Sequence, residues 1–312
     1  MKKVVITGAT GAIGRALIEV CIEAEYEVLA VVHRESLRAG ELDGIDHCKV
    51  LRLNLDEYDN ALAELDQQGG ERNDYELFFH LAWMAPFGKD RDNLDLQMNN
   101  VKAALSAVRF AKELGCSTFI GTGSQAEYGR VEGVLSPETP AFPETGYGIT
   151  KLCAGQLTRL ACEQNGIRHI WCRVLSVYGP YDRDQTLISY AVLKMMENED
   201  TKFSPCDQMW DYIYSDDAAR AILLAGQKGK NGKVYMIGSG EVLPLKAYIQ
   251  RIAEITGYDK RIGFGDRPYN DKQVMYLQAD ITALKDLGYS PRVSFADGIQ
   301  CLIEYYKSRK KT

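Results

Sequence analysis

The feature that most constrains the fold is a glycine-rich turn close to the start of the chain. The sequence Thr7-Gly8-Ala9-Thr10-Gly11-Ala12-Ile13-Gly14 follows a short apolar run, Val4–Thr7, and opens an amphipathic helix predicted over Ile13–Glu23. Glycines at this spacing permit a tight turn, a close approach of backbone to a pyrophosphate, and close packing of the helix on a sheet. The free N–H groups at the helix start then point at the phosphates. The turn therefore predicts a dinucleotide-binding sheet.

The rest of the chain alternates apolar runs of strand length with segments of helical period. Continuous apolar strands are typical of a parallel sheet that helices cover on both faces. The predicted fold is α/β: a Rossmann doubly wound parallel sheet over residues 1–178, with returning elements near 212–240, and a smaller C-terminal α/β substrate-binding lobe over 179–312. The further predicted strands are Glu27–Val32, Lys49–Leu53, Leu77–Leu81, Thr118–Gly121 and His169–Val174. The predicted helices are Asp56–Asp66, Asn99–Leu114, Thr150–Gln164, Leu187–Glu197, Ser215–Gln227, Leu245–Thr256 and Ala279–Leu287.

Charge and cysteine usage exclude several classes of protein. The net charge of −6 argues against a nucleic-acid partner, and the one basic cluster, Lys307–Lys311, is interpreted as a solvated helix end. No apolar run approaches the roughly 20 residues that span a bilayer, and the first one stops at Gly8, too early for an export signal. The eight cysteines are scattered, without a metal-binding spacing. We expect a cytoplasmic location, no membrane and no metal.

The residues after the second predicted strand bear on the choice of cofactor. An NAD-binding chain usually places an acid at this strand tip, where it accepts hydrogen bonds from the ribose hydroxyls. Here the strand continues as Val31-Val32-His33-Arg34-Glu35-Ser36. Arg34, assisted by Ser36 or Arg38, is predicted to pair with a 2′-phosphate, the alternative being a solvated loop arginine. The sequence thus favours NADP(H), with NAD(H) as the second option.

Three polar residues form a candidate proton relay. Tyr147 and Lys151 are four residues apart at the start of a predicted helix and share one face. The lysine, with an oxidised nicotinamide, would lower the pKa of the phenol, which could then exchange a proton with a substrate oxygen. Ser124 follows the strand Thr118–Gly121, where its hydroxyl could hydrogen-bond that oxygen. Tyr306 and Lys310 repeat the spacing and are interpreted as a surface pair.

Together these motifs carry a family resemblance that runs in order through nearly the whole chain. The chain resembles the extended short-chain dehydrogenase/reductases, the NAD-dependent epimerase/dehydratase family, of the type that modifies nucleotide sugars. The matching motifs are Gly8-x-x-Gly11-x-x-Gly14, His80-Leu81-Ala82, Ser124-x-x-x-Tyr128-Gly129, Tyr147-x-x-x-Lys151, Arg173-x-x-x-x-Tyr178-Gly179-Pro180 and Tyr214-x-Asp216-Asp217.

The resemblance implies roles for individual residues. Ser124, Tyr147 and Lys151 are expected to be catalytic, with Lys151 also holding the nicotinamide ribose. Ala82 and Asn100 are expected to line the cofactor cleft, Leu55 to border the adenine, and backbone near Tyr178 to meet the carboxamide. The full set expected to bind the cofactor is Gly8, Thr10, Gly11, Ala12, Ile13, Gly14, His33, Arg34, Ser36, Asn54, Leu55, Leu81, Ala82, Asn100, Lys151 and Tyr178.

Departures from the family pattern narrow the reaction. Sugar 4,6-dehydratases carry Asp-Glu after the catalytic Ser or Thr, whereas this chain has Gln125-Ala126, and the side chain of Glu127 is expected to point elsewhere. Dehydration is therefore disfavoured. Trp210 stands where the family commonly has a diphosphate-binding Arg, and it either stacks on a base or sugar or packs in the core. The candidate substrate-binding residues are Gln125, Ser176, Arg183, Trp210 and Arg267.

Three functions remain open at this stage. The leading one is an NADPH-dependent 4-ketoreductase acting on a nucleotide-linked deoxy-ketosugar, a small-molecule substrate. The second is a nucleotide-sugar epimerase, which oxidises and re-reduces one carbon and keeps NAD bound. The third is a non-catalytic dinucleotide-binding sensor, which would have no need of a proton relay. The resemblance also implies a homodimer, because members of this family often pair through two helices of the sheet domain.

Overall fold

A seven-stranded parallel sheet forms the centre of the computed structural model, which describes residues 1–310. The strands of the sheet run in the order β10-β6-β5-β4-β1-β2-β3, so that the predicted α/β Rossmann fold is confirmed. The strands of the described chain are β1 (Lys3–Thr7), β2 (Glu27–Val32), β3 (Cys48–Arg52), β4 (Tyr75–His80), β5 (Thr118–Ser124), β6 (Arg168–Val174), β7 (Ser176–Tyr178), β8 (Met209–Trp210), β9 (Tyr212–Tyr214), β10 (Val234–Ile237), β11 (Leu243–Pro244) and β12 (Tyr276–Leu277).

Helices cover both faces of this sheet. Successive residues of each strand point to opposite sides, so that each strand contributes side chains to two cores. In β1, Val4 and Ile6 enter the core shared with α1 and α6, whereas Val5 enters the core shared with α3. The helices of the described chain are α1 (Ala12–Glu23), α2 (Ala61–Gln67), α3 (Leu94–Glu113), α4 (Gly146–Gln164), α5 (Leu187–Met196), α6 (Ser215–Lys228), α7 (Leu245–Thr256), α8 (Thr282–Lys285) and α9 (Phe295–Arg309).

A smaller, more irregular layer lies beyond β6. It contains a three-stranded sheet in the order β11-β8-β12, a parallel pair of β7 with β9, and a third core between α5, α7 and α9. The chain returns from this layer to the large sheet at β10, which pairs with β6. The carboxyl ends of the large sheet therefore face the smaller layer.

Several predicted boundaries move because capping contacts were not recognised. Helix α3 begins at Leu94 instead of Asn99, since the side chain of Asn93 accepts a hydrogen bond from the N–H of Leu96. The side chain of Thr145 likewise accepts from the N–H of Gly148, so that α4 begins at Gly146 instead of Thr150.

Two predicted helices are shorter or divided, and one helix was not predicted. The region Asp56–Asp66 folds as a 3₁₀ helix, Leu55–Asn60, followed by α2. Within Ala279–Leu287 only α8 is helical, because Ala279 forms a β-bridge with Leu135. The range of helix α9 was not predicted, although the basic cluster at its C-terminal end was interpreted as a helix end.

The interpretation of the C-terminal segment is partly wrong. Tyr306 is 2% exposed and packs in the core with α5 and α7, so it does not form a surface pair with Lys310. Arg309 lies in α9 and donates two 2.8 Å hydrogen bonds to Asp184. Lys311 lies outside the described residues.

Residues 1–310 contain neither a helix suited to span a membrane nor a cluster of metal-ligand side chains. None of the helices there combines the length and apolar character that crossing a bilayer requires. No three of the described His, Cys, Asp or Glu side chains are grouped as metal ligands would be.

Candidate active site

One cleft of about 1080 Å³ lies at the carboxyl edge of the large sheet. The ends of β1, β4, β5 and β6 all open into it, as expected for ligand sites in open α/β sheets. The predicted site residues that line the cleft are Gly8, Thr10, Gly11, Ala12, Ile13, Gly14, His33, Leu81, Ala82, Ser124, Gln125, Tyr147, Lys151, Ser176, Tyr178 and Arg183.

The glycine turn forms a cradle that side chains would fill. Gly8 has a φ of +70°, and a Cβ there would lie 2.8 Å from the backbone nitrogen of Ala82. A Cβ on Gly14 would lie 2.3 Å from the carbonyl oxygen of Gly8. Gly11 caps α1 without a side-chain hydrogen bond, and the first turn carries no acid. The exposed helix N-terminus is thus free to bind an anionic pyrophosphate, and the residues present fit a dinucleotide.

The end of β4 is fastened to β1 beneath this cradle. The hydroxyl of Thr7 accepts hydrogen bonds from the backbone N–H of Leu81 (3.1 Å) and of Ala82 (3.2 Å). Asn100, expected to line the cleft, instead bonds the backbone N–H and carbonyl of Met84 at 2.8 and 3.0 Å. It is not among the lining residues, so it supports the wall of the cleft through the Met84 backbone.

Ser124 is the last residue of β5, and the turn that follows holds it in position. Its Oγ accepts from the N–H of Ala126 at 3.2 Å, and its own N–H donates to Glu127 at 2.8 Å. The carboxylate of Glu127 is fully buried and also accepts from Arg173 (2.7 Å) and Trp171 (3.1 Å). The prediction that Glu127 points elsewhere is confirmed.

Lys151 reaches across from α4 to the end of β5. Its Nζ donates to the carbonyl of Thr122 at 2.8 Å and lies 3.9 Å from the ring centroid of Trp83. The ring centroid of Tyr147 is 5.9 Å from the same nitrogen. Burial lowers the pKa of Lys151 to about 7, because water is excluded from the charged form, although the charge of Glu127 acts in the opposite direction.

Tyr147 lies one helical turn before Lys151. Burial raises the pKa of its phenol above the usual value, while a hydrogen bond with Ser124 and the charge of Arg91 act to lower it. The expected lowering of the phenol pKa by Lys151 is therefore not produced by the protein groups that surround Tyr147. A half-buried phenol whose pKa lies above the usual value keeps its proton near neutral pH and is suited to act as an acid.

The adenosine side of the cleft differs from the prediction. The guanidinium of Arg34 is bound by two carboxylates, Glu57 at 2.8 Å and Glu64 at 2.6 Å, and it does not line the cleft. Arg38 does line it: its Nη1 donates to the carbonyl of Tyr181 at 2.5 Å. The charge of Arg34 is thus already balanced by two carboxylates, and Arg38 is the arginine of this segment that lines the cleft.

Three other predicted cofactor residues do not line the cleft. The Oγ of Ser36 lies 3.5 Å from the Oγ1 of Thr10. Asn54 accepts a 3.1 Å hydrogen bond from the backbone of Arg34, and Leu55 packs against the core under α3.

The predicted substrate residues divide in the same way. Gln125, Ser176 and Arg183 line the cleft. Trp210 donates to the hydroxyl of Ser176 at 2.8 Å and packs against two cores, so it acts as a structural tryptophan. Arg267 is exposed, lies outside the cleft, and packs 5.5 Å from the ring centroid of Tyr190.

Sequence reasoning missed several residues that line the cleft. They lie in irregular segments after β4 and β7, where periodicity carries no signal. Their only sequence signal is position, since loops at the carboxyl ends of parallel strands border ligand sites. The missed residues include Trp83, Phe87, Arg91, Tyr181 and Asp182.

Comparison with known proteins gives the same picture of the first three-quarters of the chain. The model of the NAD-dependent epimerase/dehydratase family matches residues 4–238. Among curated proteins, a dTDP-4-dehydro-6-deoxyglucose reductase of Escherichia coli is 25% identical over 310 residues, covering 96% of each chain.

Two further relatives act on other nucleotide sugars. A dTDP-glucose 4,6-dehydratase of Streptomyces niveus is 29% identical over 198 residues, but this match spans only 62% of this chain and 58% of the dehydratase. Among solved structures, the UDP-glucuronic acid 4-epimerase of Bacillus cereus, in complex with UDP-glucuronic acid and NAD, is 25% identical. It superposes with a TM-score of 0.84 and covers 98% of this chain and 99% of that one.

Proposed function

The chain belongs to the NAD-dependent epimerase/dehydratase family, and on that premise we propose that it is an NADPH-dependent 4-ketoreductase of a nucleotide-diphosphate deoxy-ketosugar. The observation that carries the proposal is the convergence of Ser124, Tyr147 and Lys151 on the cleft that the glycine turn also lines. The full-length likeness to a bacterial 4-keto-sugar reductase supports the choice of reaction.

The chemistry around Ser124 favours reduction over dehydration. Elimination of water from a sugar needs an acid and a base beside the reacting carbons. The side chains of Gln125 and Ala126 offer neither. The carboxylate of Glu127 already accepts hydrogen bonds from Arg173 and Trp171. A ketone reduction needs only one proton, and Tyr147 can deliver it.

Each residue of the relay has a defined task in this mechanism. When bound, the nicotinamide supplies a hydride to the C4 carbonyl carbon. Tyr147 donates its phenolic proton to the C4 oxygen, while the hydroxyl of Ser124 hydrogen-bonds that oxygen and orients it. Lys151, whose Nζ donates to the carbonyl of Thr122, holds positive charge near the phenolate that forms. In this proposal it also holds the nicotinamide ribose.

An epimerase is the second candidate, favoured by the pairing of Arg34 with Glu57 and Glu64. That pairing weakens the argument for a 2′-phosphate, and an epimerase retains NAD through its cycle. Mass spectrometry of the cofactor that co-purifies distinguishes the two: tightly retained NAD supports the epimerase, and readily exchanged NADPH supports the reductase.

The proposed proton donor is tested by Tyr147→Phe in an NADPH oxidation assay with a panel of nucleotide-linked 4-ketosugars. Proton transfer by a placed side chain contributes about 10²–10⁴-fold, so turnover should fall by that factor while NADPH still binds. Tyr306→Phe, a buried tyrosine with the same spacing to a lysine, is the matched control and should keep full turnover. An active Tyr147→Phe would refute the assignment, and binding of NADPH without turnover of any panel member would favour a sensor.

A further inference from the structure

The segment after β4 places an arginine against the ring of Tyr147. Arg91 belongs to a 3₁₀ turn, Lys89–Asp92, and its guanidinium carbon lies 4.9 Å from the centroid of the phenol ring. The side chain lines the cleft, and its Nε is buried without a hydrogen-bond partner among residues 1–310. None of the tasks described above employs this cation.

The backbone of the turn is fastened to the helix that carries Tyr147. The carboxylate of Asp92 accepts a 2.6 Å hydrogen bond from the N–H of Gly146, the first residue of α4. The buried amide of Gln97 donates to the carbonyls of Ala85 (3.0 Å) and Asp90 (3.3 Å), which holds the preceding loop on α3. These bonds hold Arg91 and Tyr147 in a common frame, so that their contact does not depend on a mobile loop.

The other charges near Tyr147 come from α4, from the turn after β5 and from the turn that carries Arg91. Lys151 of α4 lies 5.9 Å from the ring centroid, and burial weakens its hold on a proton. Glu127, in the turn after β5, disfavours the phenolate, whereas the hydroxyl of Ser124 favours it. Asp92 is bound to the N–H of Gly146. The guanidinium carbon of Arg91, at 4.9 Å, is nearer to the ring centroid than the Nζ of Lys151, at 5.9 Å.

We propose that Arg91 is a positioning residue for the proton relay: it packs on Tyr147 and stabilises the phenolate that forms when the phenolic O–H bond breaks and the proton passes to the substrate oxygen. The inference deepens the proposed function, on which it rests for the direction of proton transfer. The charge and the ring packing act through Tyr147, and Arg91 itself exchanges no proton.

The test measures Tyr147 in the protein without any substrate. Tyrosines labelled with ¹³C at the ring carbon that bears the hydroxyl report ionisation by NMR, and Tyr147→Phe identifies the signal of Tyr147. At one alkaline pH at which all variants stay folded, Arg91→Met should reduce the ratio of ionised to neutral Tyr147 by about tenfold, since a cation at this distance shifts a pKa by about one pH unit or more.

Two control variants separate charge from structure. Arg91→Lys keeps a cation and should restore part of the ionisation, whereas Lys89→Met alters an exposed residue of the same turn and should leave it unchanged. Equal ionisation of Tyr147 in wild type and Arg91→Met overturns the proposal. In the NADPH oxidation assay, a rise in KM for Arg91→Met with unchanged kcat also overturns it, since Arg91 would then be a substrate ligand. If ionisation falls but no 4-ketosugar is turned over by wild type, the proposed function fails and the role of Arg91 stands.

Discussion

Lys151 shows at the level of one residue how a member of the candidate proton relay lowers the stability of the fold. The residue is 4% exposed, and its pKa falls from 10.5 in the free side chain to about 7. The unfolded chain therefore binds the proton more readily than the folded chain between these two pH values. Below about pH 7, burial of the charged lysine lowers the free energy of unfolding by its full amount. This loss becomes smaller as the pH rises toward 10.5.

Because burial of the charged lysine lowers the free energy of unfolding, we predict that Lys151→Met stabilises the fold while abolishing turnover. The gain in the free energy of unfolding should be about 1–2 kcal/mol near pH 6, because the removed charge outweighs the lost hydrogen bond to Thr122, and it should vanish toward about pH 10. Urea unfolding of wild type and variant at the two pH values measures it. A difference that does not depend on pH would contradict the burial argument.

Cofactor preference is a second matter of single residues. If NADPH is preferred, Arg38→Ala should weaken NADPH binding by about ten- to a hundredfold and leave NADH binding unchanged, because charge-assisted hydrogen bonds are worth about 1.5–3 kcal/mol. Arg34→Ala should have a smaller effect, since its guanidinium already faces Glu57 and Glu64. Titration of both cofactors against the two variants measures these affinities. A larger loss of NADPH affinity in Arg34→Ala than in Arg38→Ala would mean that Arg34 binds the 2′-phosphate.

These residues also mark how far sequence reasoning reaches. The glycine turn, Ser124 and the Tyr147–Lys151 pair were predictable because each is tied to the end or start of an element. The pairing of Arg34 was not, because Glu57 and Glu64 reach it only once the 3₁₀ helix and α2 have packed beside β2. Arg91 lies in a turn whose position depends on hydrogen bonds made by Asp92 and Gln97. No periodic sequence pattern predicts these bonds.

At the level of elements, the site depends on how closely α4 approaches the turn after β5. Gly148, in the first turn of α4, faces the carbonyl of Ala126, and a Cβ there would lie 2.3 Å from that oxygen. The two nearest atoms both belong to the backbone of Ala126, which cannot rotate away as a side chain can. Because this position has no side chain, α4 approaches the turn closely enough for Tyr147 to lie next to Ser124 at the end of β5.

We therefore predict that Gly148→Ala impairs catalysis more than its single methyl group suggests. Displacement of α4 should separate Tyr147 from Ser124 and reduce turnover by about a hundredfold, the loss expected from a misplacement of about 1 Å. The free energy of unfolding should fall by about 1–3 kcal/mol through overpacking. Gly40→Ala, at a position with no atom within 4 Å of the added Cβ, is the control and should change neither quantity appreciably. Normal turnover in Gly148→Ala would show that α4 can shift without harm to the relay.

At the level of the whole molecule, Asp211 joins the large sheet to the smaller layer. It stands between β8 and β9 and is fully buried. Its carboxylate accepts hydrogen bonds from the N–H (2.8 Å) and hydroxyl (2.6 Å) of Ser239 and from the N–H of Gly240 (3.1 Å), both just beyond β10. It also accepts from the N–H of Ala279 (3.0 Å), which bridges to Leu135. The carboxylate of Asp211 thus accepts hydrogen bonds from four backbone and hydroxyl donors in two separate segments of the chain.

The last prediction follows from this arrangement: Asp211→Asn, nearly identical in shape, should destabilise the protein. One carboxylate oxygen becomes an NH₂ group, which would face the N–H groups of Ser239 or of Gly240 and Ala279 and leave buried donors without an acceptor, at a cost of about 1–3 kcal/mol. Burial raises the pKa of Asp211, which partly offsets this cost by making the charged form itself expensive. Asp207→Asn, an exposed aspartate four residues earlier, should stay within about 0.5 kcal/mol of wild type. Chemical denaturation of the three proteins measures both values. Equal stability of Asp211→Asn and wild type would mean that the two layers are held together by apolar packing alone, with the buried carboxylate contributing nothing to their junction.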